Sequence, residues 1–111
     1  MFSIPDYSYI ASPYSHPDKW VQHERYLAVM KFVARCMNEG EFVYSPILHC
    51  HELARNFNLP GDHLYWQKMN RAMQGHAAKT IVLRLTGWDV SKGVQDEITY
   101  AKLIEQPIEY V

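Results

Sequence analysis

No apolar run in the sequence approaches the roughly 20 residues of a membrane-spanning helix, and the first residues lack the basic start and apolar core of a signal peptide. Both absences point to a soluble, unexported, cytoplasmic protein with no membrane partner. Cysteine is scarce. Only Cys36, in an apolar stretch of helical period, and Cys50, between two histidines, carry thiols, and neither number nor spacing makes a disulfide framework. Blocks of charge are missing as well: 11 Lys and Arg are scattered among 12 Asp and Glu, with no basic run, which excludes the electrostatic footprint of a nucleic-acid polymer partner. Internal repeats, low-complexity tracts and domain-separating linkers are absent. What is present, 111 residues of which 48% are hydrophobic, suits one compact domain over residues 1–111.

The periods along the chain alternate between strand and helix. Tyr7 to Ala11 reads as a first strand, stopped by the two prolines of Ser12-Pro13-Tyr14-Ser15-His16-Pro17. A helix over Asp18 to Met37 follows, with inward residues at Val21, Ala28, Val29, Phe32, Val33 and Cys36 and with Gly40 just past its end. Glu41 to Ser45 is a second strand, after which Pro46 starts a loop. His49 to Phe57 and a segment from Asp62 to Met73 are helical, the second capped by Asp62. Lys79 to Leu85 is the clearest strand, Ser91 to Glu105 the last helix, and Pro107 to Val111 a terminal strand. This βαβααβαβ order predicts a three-layer, Rossmann-like (flavodoxin-like) α/β fold. Its parallel sheet has strand order 2-1-3-4, with helices on both faces and a cleft at the switch point between the first and third strands.

The segment Leu83 to Glu97 is the most informative in the chain. An apolar strand breaks at Gly87, Ser91 opens a helix, and Gly93 lies on the same helical face as Glu97, where its missing side chain lets a ligand approach the carboxylate. A carboxylate nucleophile or base beside a bound anion or sugar is the functional reading. Ordinary capping by Ser91, Asp96 and Glu97 is the structural one. The cleft would gather Ser12, Tyr14 and Ser15 from the first loop, Ser45 and Pro46 from the second, and Gly87, Trp88, Ser91, Gly93 and Glu97 from the third. Hydroxyls and backbone amides suit phosphate or sugar oxygens, and Trp88 or Tyr14 can stack on a flat base. Equally, Trp88 can cover the sheet edge and Tyr14 can be a surface turn residue.

Three stretches, Tyr9-Ile10-Ala11-Ser12-Pro13-Tyr14-Ser15, Tyr44-Ser45-Pro46 and Gly87 to Ala101, together resemble the nucleoside 2-deoxyribosyltransferase-like family, and more narrowly its short, largely uncharacterised bacterial and phage branch. The resemblance implies a Rossmann-like fold, usually homo-oligomeric (a dimer or tetramer), that cleaves the N-glycosidic bond of 2′-deoxynucleosides or their monophosphates through a glutamate nucleophile. Glu97 matches that glutamate. Tyr9 matches a tyrosine near it, and Ser12, Pro13, Tyr14, Ser15, Ser45 and Pro46 match loops that receive the sugar or its phosphate. Two family acids are missing here. Ser91 stands six residues before Glu97 where the transferases have aspartate, and Ala78, Lys79 or Thr80 replaces the acid entering the third strand. Asp89 and Asp96 are the nearest candidates to protonate the leaving base.

The expected chemistry requires no metal or other cofactor. His49 and His51, two apart, fall on different faces of a helix, which is the wrong spacing for a standard metal site, and Cys50 beside a histidine in sequence does not make a nucleophile. Two other classes of function stay open. One is a nucleotide-binding module on the same fold without turnover. The other is an interaction protein using the helical stripe Trp66, Met69 and Met73, which core packing or a homo-oligomer interface also explains.

Overall fold

A computed structural model describes residues 4–60 and 63–111. Four parallel strands, β1 (Ser8–Ala11), β2 (Val43–Tyr44), β3 (Lys79–Val82) and β4 (Ile108–Tyr110), form one sheet in the order β2-β1-β3-β4. Tyr9 lies opposite Tyr44 on one side and Thr80 on the other, and Val82 pairs with Tyr110. The helices are α1 (Lys19–Asn38), α2 (Pro46–Phe57), α3 (His63–Gly75) and α4 (Lys92–Leu103). The element order and the 2-1-3-4 sheet are those the sequence periods predict.

Local chemistry sets most boundaries. Asp18 caps α1 by accepting a hydrogen bond from the Trp20 amide at 2.9 Å. Ser91 caps α4, its Oγ accepting from the Val94 amide at 3.3 Å. Pro46 does not open a loop as the sequence reading expects. Ser45 is an N-cap, its Oγ accepting from the Leu48 amide, and Pro46 takes the first helical position, where its fixed φ and missing N–H cost nothing. α2 therefore begins three residues before His49, and it ends where Asn58 turns left-handed at φ 53°. β3 stops at Val82 rather than Leu85, because the chain then turns, the Leu85 amide donating to the Leu83 carbonyl. The expected cap at Asp62 lies outside the described residues.

Strand alternation divides the core. Ile10 and Ile81 face α1 and α2, meeting Val29 and Val33 with Phe32, Ile47 and Leu48 around them. Ala11 and Val82 face the other way, meeting Val94 and Ile98 of α4. Ile10, Val29, Val82 and Val94 are wholly buried, each worth about 1.5–3 kcal/mol of transfer free energy. Of the predicted inward side of α1, Val29, Val33 and Cys36 are buried, while Val21, Ala28 and Phe32 are half-buried. No described helix is long and apolar enough to cross a membrane.

Candidate active site

The loop between β3 and α4 is tied to the loop after β1. Arg25 of α1 donates from Nη1 to the Ser15 carbonyl and from Nη2 to the Thr86 carbonyl, both at 3.0 Å. Gly87 follows at φ +92°, and a Cβ there would lie 2.6 Å from Arg25 Nη2. The left-handed backbone is what calls for glycine, since the guanidinium is the far end of a flexible side chain and could give way to a Cβ. The tie holds the carboxyl ends of β1 and β3 together above the switch point, and α4 descends from it with Glu97 on its second turn.

Glu97 points back at the sheet and is 9% exposed. Burial pushes its carboxyl up to about 8; the Tyr9 phenol opposes this, and the neighbouring Asp96 adds to it. Tyr9, wholly buried on the same face, has its own pKa driven far above the ordinary value, first by burial and then by Glu97, so it stays a proton donor. Tyr9 Oη and Glu97 Oε2 are both buried and complete no hydrogen bond of regular geometry, although the phenol lies close enough to hold the carboxyl down. Unfilled buried groups of this kind are rare and costly in a finished core.

Glu97 borders a small polar cavity between α3 and α4, lined also by Gln67, Asn70, Arg71, Gln74, Gly93 and Asp96. Asn70 Oδ1 and Arg71 Nε are also buried without partners. Arg71 Nη2 donates to Asp96 Oδ1 at 3.0 Å and Gln67 Nε2 to Asp96 Oδ2 at 3.3 Å, while the guanidinium lies 5.3 Å from the Tyr100 ring. Asp96 thus accepts at both oxygens. Around one void stand two carboxyls, a cationic donor and neutral amides, a set able to grip a hydroxylated or heterocyclic molecule.

A neutral network fixes Glu97 from behind. Gln74, 1% exposed, donates from Nε2 to Thr80 Oγ1 at 3.0 Å and to the Glu97 carbonyl at 2.8 Å. Thr80 donates to Gln106 Oε1 at 2.5 Å, and Gln106 Nε2 returns to the Gln74 and Ala77 carbonyls at 2.7 and 2.9 Å. Three elements and the turn before β4 are locked by side chains that carry no charge.

The sequence-predicted residues separate into two groups. Tyr9, Gly93 and Glu97 come together, and Ser12 Oγ is buried and unpartnered at the end of β1. Ser45, Pro46 and Ser91 are helix-starting residues, Pro13 is fully buried, and Ser15 is exposed with its carbonyl held by Arg25. Trp88 packs against the Ala11 and Val82 cluster and edge-on to Tyr110 at 6.0 Å, covering the sheet edge rather than the cavity. Tyr14 is not a surface turn residue: its hydroxyl is hydrogen-bonded to His51 Nδ1, and His51 stacks on Tyr26 at 4.1 Å. His49 meets Tyr44 instead, so the two histidines do take different faces of α2. Burial pushes the Cys50 thiol up, away from the thiolate form. Among the described residues no three His, Cys, Asp or Glu side chains are grouped to hold a metal ion. Trp66, Met69 and Met73 are half-buried, with Trp66 Nε1 donating to the Pro60 carbonyl at 2.7 Å.

Asn70, Arg71 and Gln74 were missed as site residues, although Gln67, Asn70, Arg71 and Gln74 recur at i, i+3, i+4 and i+7. That is the spacing of a buried helical stripe written in polar side chains.

Fold and site together define a parallel α/β domain with a buried carboxyl on the α3–α4 face of its sheet, carried by the helix that follows β3. The chain belongs to the family described as Domain of unknown function (DUF1937), whose sequence model matches residues 6–111. No curated protein matches it.

Proposed function

We propose that the protein cleaves the N-glycosidic bond of a 2′-deoxynucleoside or its monophosphate, by hydrolysis or by deoxyribosyl transfer, with Glu97 as the nucleophile. The observation that carries this reading is the Glu97 carboxyl itself, buried, unsatisfied at Oε2, beside Tyr9 and open to a polar cavity. The ionised carboxylate bonds to the anomeric carbon through an oxocarbenium-like transition state. The carbon–nitrogen electron pair leaves with the base, and water or a second base then displaces Glu97. Tyr9 orients the carboxylate. Ser12, Asn70 and Arg71 offer hydrogen bonds to sugar hydroxyls, a phosphate or the base. The scheme needs no metal or other cofactor and no nucleic-acid polymer. We place it in the reducing cytoplasm, where free Cys36 and Cys50 are at home.

A second reading, a nucleotide-binding module without turnover, is favoured by one observation. A carboxyl pushed up to about 8 is mostly protonated at neutral pH, and Ser91, together with Ala78, Lys79 or Thr80, stands where the resembling transferases have acids. The deciding experiment incubates the protein with a panel of 2′-deoxynucleosides and their monophosphates and follows free base by chromatography. Glu97→Gln should lower base release at least about a hundredfold, as loss of one strong catalytic group does, while ligand binding persists. A variant that keeps its rate overturns the mechanism. A wild-type protein that binds nucleotides but releases no base is the binding module.

A further inference from the structure

Helix α1 turns Val29, Val33 and Cys36 to the sheet and leaves a stripe of its outer side exposed. Trp20, Glu24, Leu27, Ala28, Lys31 and Arg35 share that outer side, with Trp20 64% and Leu27 40% exposed. Glu24, Leu27, Ala28, Met30 and Lys31 line an open groove along it. Among the described residues, neither Glu24 nor Lys31 has an ion-pair partner within the chain. Large apolar side chains and unpaired charges of both signs therefore stand on one helical face.

Their order along the helix is self-complementary. When a second copy of α1 is laid antiparallel about a two-fold axis between Leu27 and Ala28, Glu24 of each copy meets Lys31 of the other. Leu27 meets Ala28, and Trp20 meets Arg35. Opposite charges pair, a large apolar group meets a small one, and an indole meets a guanidinium whose other side already lies over Phe32 at 5.3 Å. A shift of one turn keeps at most one of these matches: in one direction Glu24 meets Arg35 but Lys31 falls on Ala28, and in the other Trp20 meets Lys31 but Glu24 falls on Leu27. The residue types thus favour the register that satisfies all three pairs, and a two-fold contact between identical copies presents each pair twice. From Trp20 to Arg35 the stripe is about 22 Å long at 1.5 Å per residue.

We propose that two copies of this chain pair through α1, antiparallel, with the two-fold axis between Leu27 and Ala28. The pairing leaves the α3–α4 cavity untouched and is independent of the activity proposed above. The expected contact is modest in area, so it should dissociate in the micromolar range.

The test is sedimentation equilibrium of the full chain between about 1 and 200 µM, on the wild type, Glu24→Lys, Lys31→Glu and the double variant. These side chains are exposed, and circular dichroism should find all four proteins folded. Each single reversal sets like charges together twice in the dimer and should weaken association at least about tenfold. The double variant exchanges the two charges, restores both pairs and should recover the wild-type constant within a few-fold. A wild type that stays monomeric across the range overturns the proposal. So does an assembly unmoved by the single reversals, or a double variant as weak as the singles.

Discussion

On the α1 side of the sheet, Ile10 and Ile81 meet Val29 and Val33, and every atom brought together is apolar. One residue along the same two strands, on the α4 side, Tyr9 lies beside the Glu97 carboxyl and Gln74 bonds Thr80 and the Glu97 carbonyl, next to the apolar cluster of Ala11, Val82, Val94 and Ile98. Strand alternation lets four consecutive residues serve both ends. Ser8-Tyr9-Ile10-Ala11 places Ile10 in the stabilising face and Tyr9 in the chemical one. Burial has opposite consequences on the two sides. For Ile10 it is favourable transfer out of water, whereas for Glu97 it lifts a carboxyl pKa and leaves Oε2 without a partner.

If that division is right, Ile10→Ala should cost about 2–5 kcal/mol, the range for a fully buried large-to-small change, and leave activity per folded molecule unchanged. Urea unfolding reads the first and a base-release assay on the folded fraction the second. A cost under about 1 kcal/mol would mean that the apolar face does not hold the fold.

The opposite face, unlike the apolar one, should respond to pH. Glu97 has its pKa raised from 4.5 to about 8 on folding. Below pH 4.5 both folded and unfolded chains carry the proton and the group costs nothing. Between 4.5 and 8 the unfolded chain ionises first, so stability is lost as pH rises, and above 8 the loss is complete. At about 1.4 kcal/mol per pKa unit, the loss amounts to a few kcal/mol. Glu97→Gln has no such titration. It should match the wild type in stability near pH 4 and exceed it increasingly up to pH 9, as denaturant titrations at pH 4, 6.5 and 9 would show. A difference that stays flat across this range contradicts a raised Glu97.

Legibility in the sequence followed the same division. Apolar period and capping residues made the order of elements, the 2-1-3-4 sheet and the caps at Asp18 and Ser91 readable, because burial of one face and satisfaction of helix-end amides are local or periodic demands. Pro46 was misread, since a proline that ends a strand and one that opens a helix look alike until Ser45 is recognised as the cap. The pair Glu97 and Gly93 was visible from helical spacing, and Tyr9 from family resemblance. The α3 side was not. Gln67, Asn70, Arg71 and Gln74 carry an inward period in polar residues, and the apolar Trp66, Met69 and Met73 beside them carry the stronger hydrophobic signal. Gln106, which closes the network behind Glu97, lies in a turn with no period to betray it.

Tyr9 sharpens the comparison at its smallest scale, by one oxygen. Tyr9→Phe keeps the ring in the buried site, packed at 6.1 Å from Tyr44, and removes only the phenol that holds the Glu97 carboxyl down. Without it, desolvation is less opposed and the Glu97 pKa rises further above 8. The ionised fraction at pH 7 falls with it. If Glu97 acts as an anion, the rising limb of base release against pH should move to higher pH. A full-strength hydrogen bond to a charged group, about 1.5–3 kcal/mol, sets the upper scale at roughly ten- to a hundredfold at pH 7. Much of that loss should return as the pH is raised to where the variant's carboxyl also ionises. A merely structural phenol would instead lower the rate by the same factor at every pH, and that outcome would remove Tyr9 from the control of Glu97.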